Sequence, residues 1–336
     1  PPPLFNAPAT PENYTTAKSS AASDVYKRQA TARDFDDAVS AQAEGDSVRL
    51  WIHIADVAAY VRPGSNLEAL AWDRANSVYV PTSVEPMLPE SLSAGVCSLS
   101  PGEQRLAVTT EILLSGSGEV VSASFYRSRI ISDARLDYEQ LDRVFAERER
   151  PPDQVSEPIR LARAASALLA ERKDRTRLDV TSSEPGFSFD DEGNVTSARA
   201  DVQTEAHRLI EHLMVLVNEQ VAQLLQQCRT PTLYRVHEQP DPDRIARLAE
   251  QLASLNLPAP AVVDGMGPAA AGEFAVEASR TIAAEAGRRG HGAVPFGSLV
   301  LRSLKPARYS SRNLGHAGLG SEAYCHFTSP IRRFPD

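Results

Sequence analysis

The sequence predicts an α/β fold, a mixed sheet flanked by helices, and three observations carry that reading. Val48, Leu50, Ile52 and Ile54 alternate with Arg49, Trp51 and His53, the period-two pattern of a half-buried strand. Two further strand-like runs flank a Gly-Ser turn in RLAVTTEILLSGSGEVVSASFYRSRI, the pattern of a hairpin. The run TEAHRLIEHLMVLVNEQVAQLLQQC places Ile210, Leu213, Met214, Val217, Val221 and Leu224 on one helical stripe.

Taken in chain order, residues 1–23 are rich in Pro, Ala and Ser, lack periodicity and are expected to be disordered. DVYKRQ then reads as a translated sequencing adapter. A chimeric join is therefore expected near Gln29, and residues 1–29 are placed outside the fold as a disordered or chimeric segment. After the first strand and the hairpin, RLDYEQLDRVFAERER reads as a helix stopped by Pro151 and Pro152. A second helix is expected over 158–173, and GFSFDDEGNVTSARA reads as a hairpin turning at Asp191–Gly193. Beyond the long amphipathic helix, helices are expected near 243–256 and 273–288, with a Pro/Gly/Ala-rich segment at 258–272 between them. FTSPIRRFPD ends without a helix stop or polar tail, so the chain is expected to be cut at both ends.

The 336 residues suffice for one large domain or two ordinary ones, and the 42 % hydrophobic and 24 % charged fractions are those of a globular protein. No apolar run approaches the about 18 residues of a membrane span, and the N-terminus lacks a secretion-signal pattern. Cys97, Cys228 and Cys325 are odd in number and far apart, which points to reduced thiols, a cytoplasmic setting and no zinc site. A net charge of −9 disfavours broad phosphate binding. Arg302, Lys305, Arg308, Arg312, Arg332 and Arg333 nevertheless cluster late in the chain, where a solvated face is the simplest reading.

TARDFDDAVS crowds Asp34, Asp36 and Asp37 immediately before the apolar pair Ala38 and Val39. Buried carboxylates without partners are costly, so either the loop is wet or a cation sits there. Carboxylates at i, i+2 and i+3 can converge on a hard cation. Mg2+ binds through a few carboxylates plus water and substrate phosphate, which suggests phosphodiester chemistry. A calcium loop is the weaker alternative, because a sixth-position Gly and a twelfth-position Glu are missing.

Six blocks in order, ARDFDDAV, WIHIADVAAYV, NSVYVPTSVEPMLPESLSAGVCSLSPGEQRLA, HRLIEHLMVLVNE, YRVHEQPDP and GLGSEAYCHFTSPIRRFPD, together resemble the catalytic domain of the ribonuclease II / ribonuclease R family of exoribonucleases, more closely the ribonuclease R branch. The resemblance runs from about Ala30 to Asp336 and makes 30–336 a ribonuclease II-type catalytic domain fragment, incomplete at its C-terminus. It implies 3′-to-5′ hydrolysis of single-stranded RNA to nucleoside 5′-monophosphates with Mg2+, in an α/β fold with a central RNA channel. It also implies a monomer with no membrane association, and OB-type RNA-binding modules in the full-length protein outside this chain.

The resemblance assigns roles residue by residue. Asp34 and Asp37 would ligate the metal, and Asp36 would activate or orient the attacking water. The family's first motif aspartate should stand at position 28, where this chain has Arg28; Asp24 is out of register, so impaired activity is expected. Tyr79 matches the aromatic that clamps the 3′-terminal nucleotide, the alternative being a core tyrosine. Phe187, with Phe189, could supply a second stacking ring or simply pack. Arg332 matches the catalytic arginine, and Arg333 contacts RNA or points elsewhere if the segment is extended. Glu211 matches a position near the RNA 2′-OH, with a structural salt bridge as the alternative. His53, His237, His316 and His326 are read as structural or RNA-contacting, Ala317 replaces a usual aromatic, and Cys97 is read as a packed core thiol. A non-catalytic RNA-binding relative with an incomplete metal site is the competing reading, and Arg28 favours it.

Overall fold

The computed structural model describes residues 33–336 except 81–82, 174–175, 181–183, 191–193, 202 and 264, together with Thr15–Thr16 and Ala22–Ser23. Asp24, Arg28 and the turn expected at 191–193 lie outside the described residues. The main sheet contains β1 (Thr15–Thr16), β3 (Asp37–Glu44), β4 (Ser47–Ala55), β7 (Gln104–Leu114) and β8 (Val120–Ile131), in the order β1-β8-β7-β4-β3. Its long strands are antiparallel, and β1 runs parallel to β8. Four two-stranded pairs accompany it: β2 (Ala22–Ser23) with β9 (Arg135–Leu136), β5 (Val78–Val80) with β6 (Ser83–Glu85), β10 (Glu184–Phe189) with β11 (Val195–Asp201), and β12 (Tyr234–Val236) with β13 (Arg308–Ser310). The helices are α1 (Asn66–Arg74), α2 (Tyr138–Phe145), α3 (Asp153–Lys173), α4 (Glu205–Gln227), α5 (Pro242–Ser254), α6 (Pro268–Arg289) and α7 (Ala293–Ser303). The α/β class expected from the sequence is therefore the class observed.

Alternation along the strands gives the sheet two apolar faces. Leu50, Ile52, Ile54, Ile112 and Leu114 pack on one face against Leu161, Ala165 and Leu169 of α3 and Leu213, Val217 and Val221 of α4. Ala38, Ala55, Ala107 and Ile130 face the other way, onto Phe35, Leu88, Cys97, Leu99 and Ile331. The acidic triplet leads into β3, which is sandwiched between these two cores. Two helices start earlier than expected. In α3, Asp153 adds a favourable first-turn charge five residues ahead of Pro158, and in α6, Pro268 takes a first-turn position that needs no N–H.

The second face carries a buried polar ladder. His53 is fully buried, with Nδ1 2.7 Å from Thr109 Oγ1, and burial pushes its pKa down to about 3. An unfolded histidine takes a proton below about pH 6.5. The depressed folded value means that His53 contributes stability fully present above that pH and lost as pH falls toward 3, by at most about 1.4 kcal/mol per pH unit. Urea unfolding at pH 7 and pH 5 is expected to show a stability loss that His53→Leu reduces by about 2 kcal/mol.

Candidate active site

The acidic hook is held by its own backbone. Phe35 N–H donates to Ser98 Oγ at 3.0 Å, Leu99 N–H donates to Phe35 O at 2.9 Å, and Ala55 N–H donates to Asp36 O at 2.8 Å. With the Phe35 ring in the second core, Asp36 is turned into the interior at 0 % exposure. Its Oδ1 accepts the Ile331 N–H at 2.8 Å, and its Oδ2 forms an ion pair with Arg332 Nε. A carboxylate can be buried here because a main-chain donor and a guanidinium replace its water.

Three segments distant in sequence meet at this point. The final segment turns rather than extends, with Arg332 N–H and Arg333 N–H both donating to Ser329 O at 3.1 and 3.0 Å. It pairs with the chain leaving α1: Ser77 N–H donates to Arg332 O at 2.8 Å, Phe334 N–H donates to Ala75 O at 2.9 Å, and Asn76 opposes Arg333 in an antiparallel bridge. That chain enters β5, where Tyr79 Oη donates to Asp34 Oδ2 at 2.8 Å. Asp37, 5 % exposed, opens β3 opposite Ile54.

The sequence-predicted residues Asp34, Asp36, Asp37, Tyr79, Arg332 and Arg333 are thus gathered into one neighbourhood. The turn diverts Arg333 to Asp336, with Nη2 2.6 Å from Oδ2, so the two adjacent arginines diverge without the extended backbone that the sequence reading considered. Two other candidates stand apart. Glu211 on α4 is held by Arg177 and by Gln203 Nε2 at 2.6 Å, the salt-bridge alternative. The Phe187 ring on β10 is exposed. Among the described residues, no hydrogen bond, ion pair or ring contact joins either to the aspartates. Both Asp36 oxygens are engaged, by the Ile331 N–H and by Arg332 Nε, so this carboxylate holds the arginine in place.

Two participants escaped the sequence reading. The Asp336 side chain is buried, and its Oδ2 also accepts the Ser329 N–H at 2.8 Å; its only sequence signal was its place three residues after Arg333. Asn218, 3 % exposed on α4, ties the final segment to the main core. Its Nδ2 donates to Tyr324 Oη at 3.0 Å and its Oδ1 accepts the Phe327 N–H at 2.9 Å. A polar residue on a largely apolar helix was the available signal.

The electrostatics are those of crowded carboxylates. Burial pushes Asp36 well up; the Ile331 N–H opposes this, and the charges of Asp37, Asp34 and Asp336 add to it. Burial also raises Asp34 against the Tyr79 hydrogen bond, and raises the Tyr79 phenol with help from Asp34. Such mutual repulsion is relieved by a cation. Among the described residues, no group of three or more His, Cys, Asp or Glu side chains is arranged to hold a metal ion. The oxygen donors of Asp34 and Asp37 nonetheless fit Mg2+, which binds through one or two carboxylates and completes its shell with water and phosphate. Cys97 is buried and its thiol is pushed up to about 12, as suits a packed, unreactive thiol.

The sequence matches the RNB domain family over residues 28–336. The chain belongs to that family. This RNB domain is 38 % identical over 310 residues to ribonuclease R of Vibrio parahaemolyticus, covering 91 % of this chain and 36 % of that protein. It is 36 % identical over 310 residues to ribonuclease R of Escherichia coli K12, covering 91 % of this chain and 37 % of that protein. The chain therefore spans little more than a third of these relatives. Among solved structures, Mycoplasma genitalium RNase R in complex with ribose-methylated single-stranded RNA resembles it with a TM-score of 0.87 at 30 % identity, over 96 % of this chain and 49 % of that one. Yeast Ssd1, a pseudonuclease, shares the fold at a TM-score of 0.75 and 18 % identity, over 98 % of this chain and 40 % of that one. No helix among the described residues is long and apolar enough to cross a membrane.

Proposed function

We propose that this RNB domain is the catalytic part of a 3′-to-5′ exoribonuclease that hydrolyses single-stranded RNA to nucleoside 5′-monophosphates. The observation that carries the proposal is the meeting of the acidic hook, Tyr79 and Arg332 in one partly buried site. Asp34 and Asp37 would hold Mg2+, which when bound lowers the pKa of a water and neutralises phosphate charge. Asp36 holds the Nε edge of Arg332, fixing the guanidinium plane against the scissile phosphate. Tyr79, oriented by its bond to Asp34, seats the terminal base by stacking, which tolerates any sequence. Arg333 contributes charge along the RNA backbone. The same reading places the protein in the cytoplasm as a monomer, with a channel for single strands and OB-type modules in the full-length protein.

Arg28 stands where the resemblance puts a metal-binding aspartate, which favours a second reading, an RNA-binding relative without catalysis. A 5′-labelled single-stranded RNA ladder incubated with Mg2+ separates the two. Stepwise shortening from the 3′ end is expected, faster by roughly 10²- to 10³-fold in Arg28→Asp, as for restoring a metal ligand. RNA that is bound but left intact by both chains would establish the second reading.

A further inference from the structure

We propose that Tyr309 and His326 form a second nucleobase-stacking site, beside Arg333 and Asp336, for an unpaired base upstream of the one that Tyr79 seats; this rests on the RNA-cleaving function proposed above. Tyr309 lies on β13 opposite Arg235 of β12. The Arg235 guanidinium covers one face of the ring, 5.0 Å from its centroid, yet the residue keeps 38 % of its surface exposed. The Tyr309 hydroxyl lies 2.7 Å from His326 Nδ1, and the two rings meet edge to face at 5.6 Å. His326 in turn packs edge-on to Tyr324 at 5.8 Å, and the Tyr324 hydroxyl accepts from Asn218 at 3.0 Å, so the ring pair is anchored to α4.

The chain places this pair at the site: His326 lies three residues before Ser329, whose N–H donates to Asp336 Oδ2 at 2.8 Å and whose carbonyl accepts the Arg332 and Arg333 N–H groups. Burial pushes His326 down to about 3, assisted first by Arg333 and then by Arg235, which keeps the imidazole neutral. Burial raises the Tyr309 phenol, with Asp336 adding and Arg333 opposing. An exposed tyrosine on a surface strand is ordinarily just a solvated edge. This one is held by a histidine, backed by a cation and set beside the phosphate-handling residues, the arrangement of a stacking platform for single strands.

RNA binding measured by fluorescence anisotropy in EDTA tests the site without cleavage. Single-stranded RNAs carry an abasic residue at each 3′-terminal position in turn, and each is compared with intact RNA on the wild-type chain, Tyr309→Ala and Tyr309→Phe. At one position upstream of the terminus, loss of the base is expected to weaken wild-type and Tyr309→Phe binding by roughly 5- to 100-fold and Tyr309→Ala binding hardly at all. Each comparison is a ratio between two RNAs on one protein, so partial loss of folded Tyr309→Ala cancels. Equal ratios for wild type and Tyr309→Ala at every position would refute the stacking site while leaving RNA binding intact. A wild-type chain that binds none of the RNAs would overturn the site together with the function on which it rests.

Discussion

Replacing Arg332 by Met is expected to destabilise the fold by about 3–5 kcal/mol and to abolish RNA cleavage, because it leaves Asp36 buried without its counter-charge. The loss should depend on pH in a defined direction. Burial already raises Asp36 above its unfolded value, and without the guanidinium the folded chain retains a proton that the unfolded chain releases. Stability is then present at low pH and falls as pH rises through the raised folded value. Urea unfolding should therefore show a larger penalty for Arg332→Met at pH 8 than at pH 5. Arg332→Lys, which keeps a charge but not the planar fork, should restore part of the stability and little of the cleavage.

The second large effect is expected at Asp37. In the chain carrying Arg28→Asp, Asp37→Asn should slow cleavage by roughly 10²- to 10³-fold, equivalent to about 3–4 kcal/mol of transition-state stabilisation. RNA binding in EDTA should persist. The urea midpoint should hold or rise, because one of the carboxylates that repel Asp36 has gone. Single-turnover cleavage and anisotropy on the same preparations separate the two quantities. Loss of binding along with cleavage would instead give Asp37 a structural part.

Much of the scaffold was legible because its signals are local. The alternation of β4 and the apolar stripe of α4 follow from the periods of strand and helix alone. Strand β3, with the sequence DAVSAQAE, has Val39 as its one β-branched residue and no aromatic to announce a strand; it forms by pairing along β4, across a turn in which Gly45 takes φ 58°. Helix α7 was hidden by its internal Pro295 and Gly297. At the site, the crowding of Asp34, Asp36 and Asp37 marked the place, since like charges beside a core need a partner. The partner itself, Arg332, lies 296 residues away and no periodicity points to it; the family resemblance supplied the link. Glu211 shows the converse, a charge that the resemblance places near the RNA and whose folded partner is Arg177. Asn218 could be read only as an oddity on an apolar helix until the fold brought the final segment against it.

The joining of the acidic hook to the final segment is tested most directly by a double-mutant cycle on folding stability, with Asp36→Asn, Arg332→Met and the two combined. A favourable coupling of about 2 kcal/mol or more is expected, with the double variant no less stable than Arg332→Met alone. Losses that simply add, within about 0.5 kcal/mol, would show that the two side chains do not meet and would contradict the site described above.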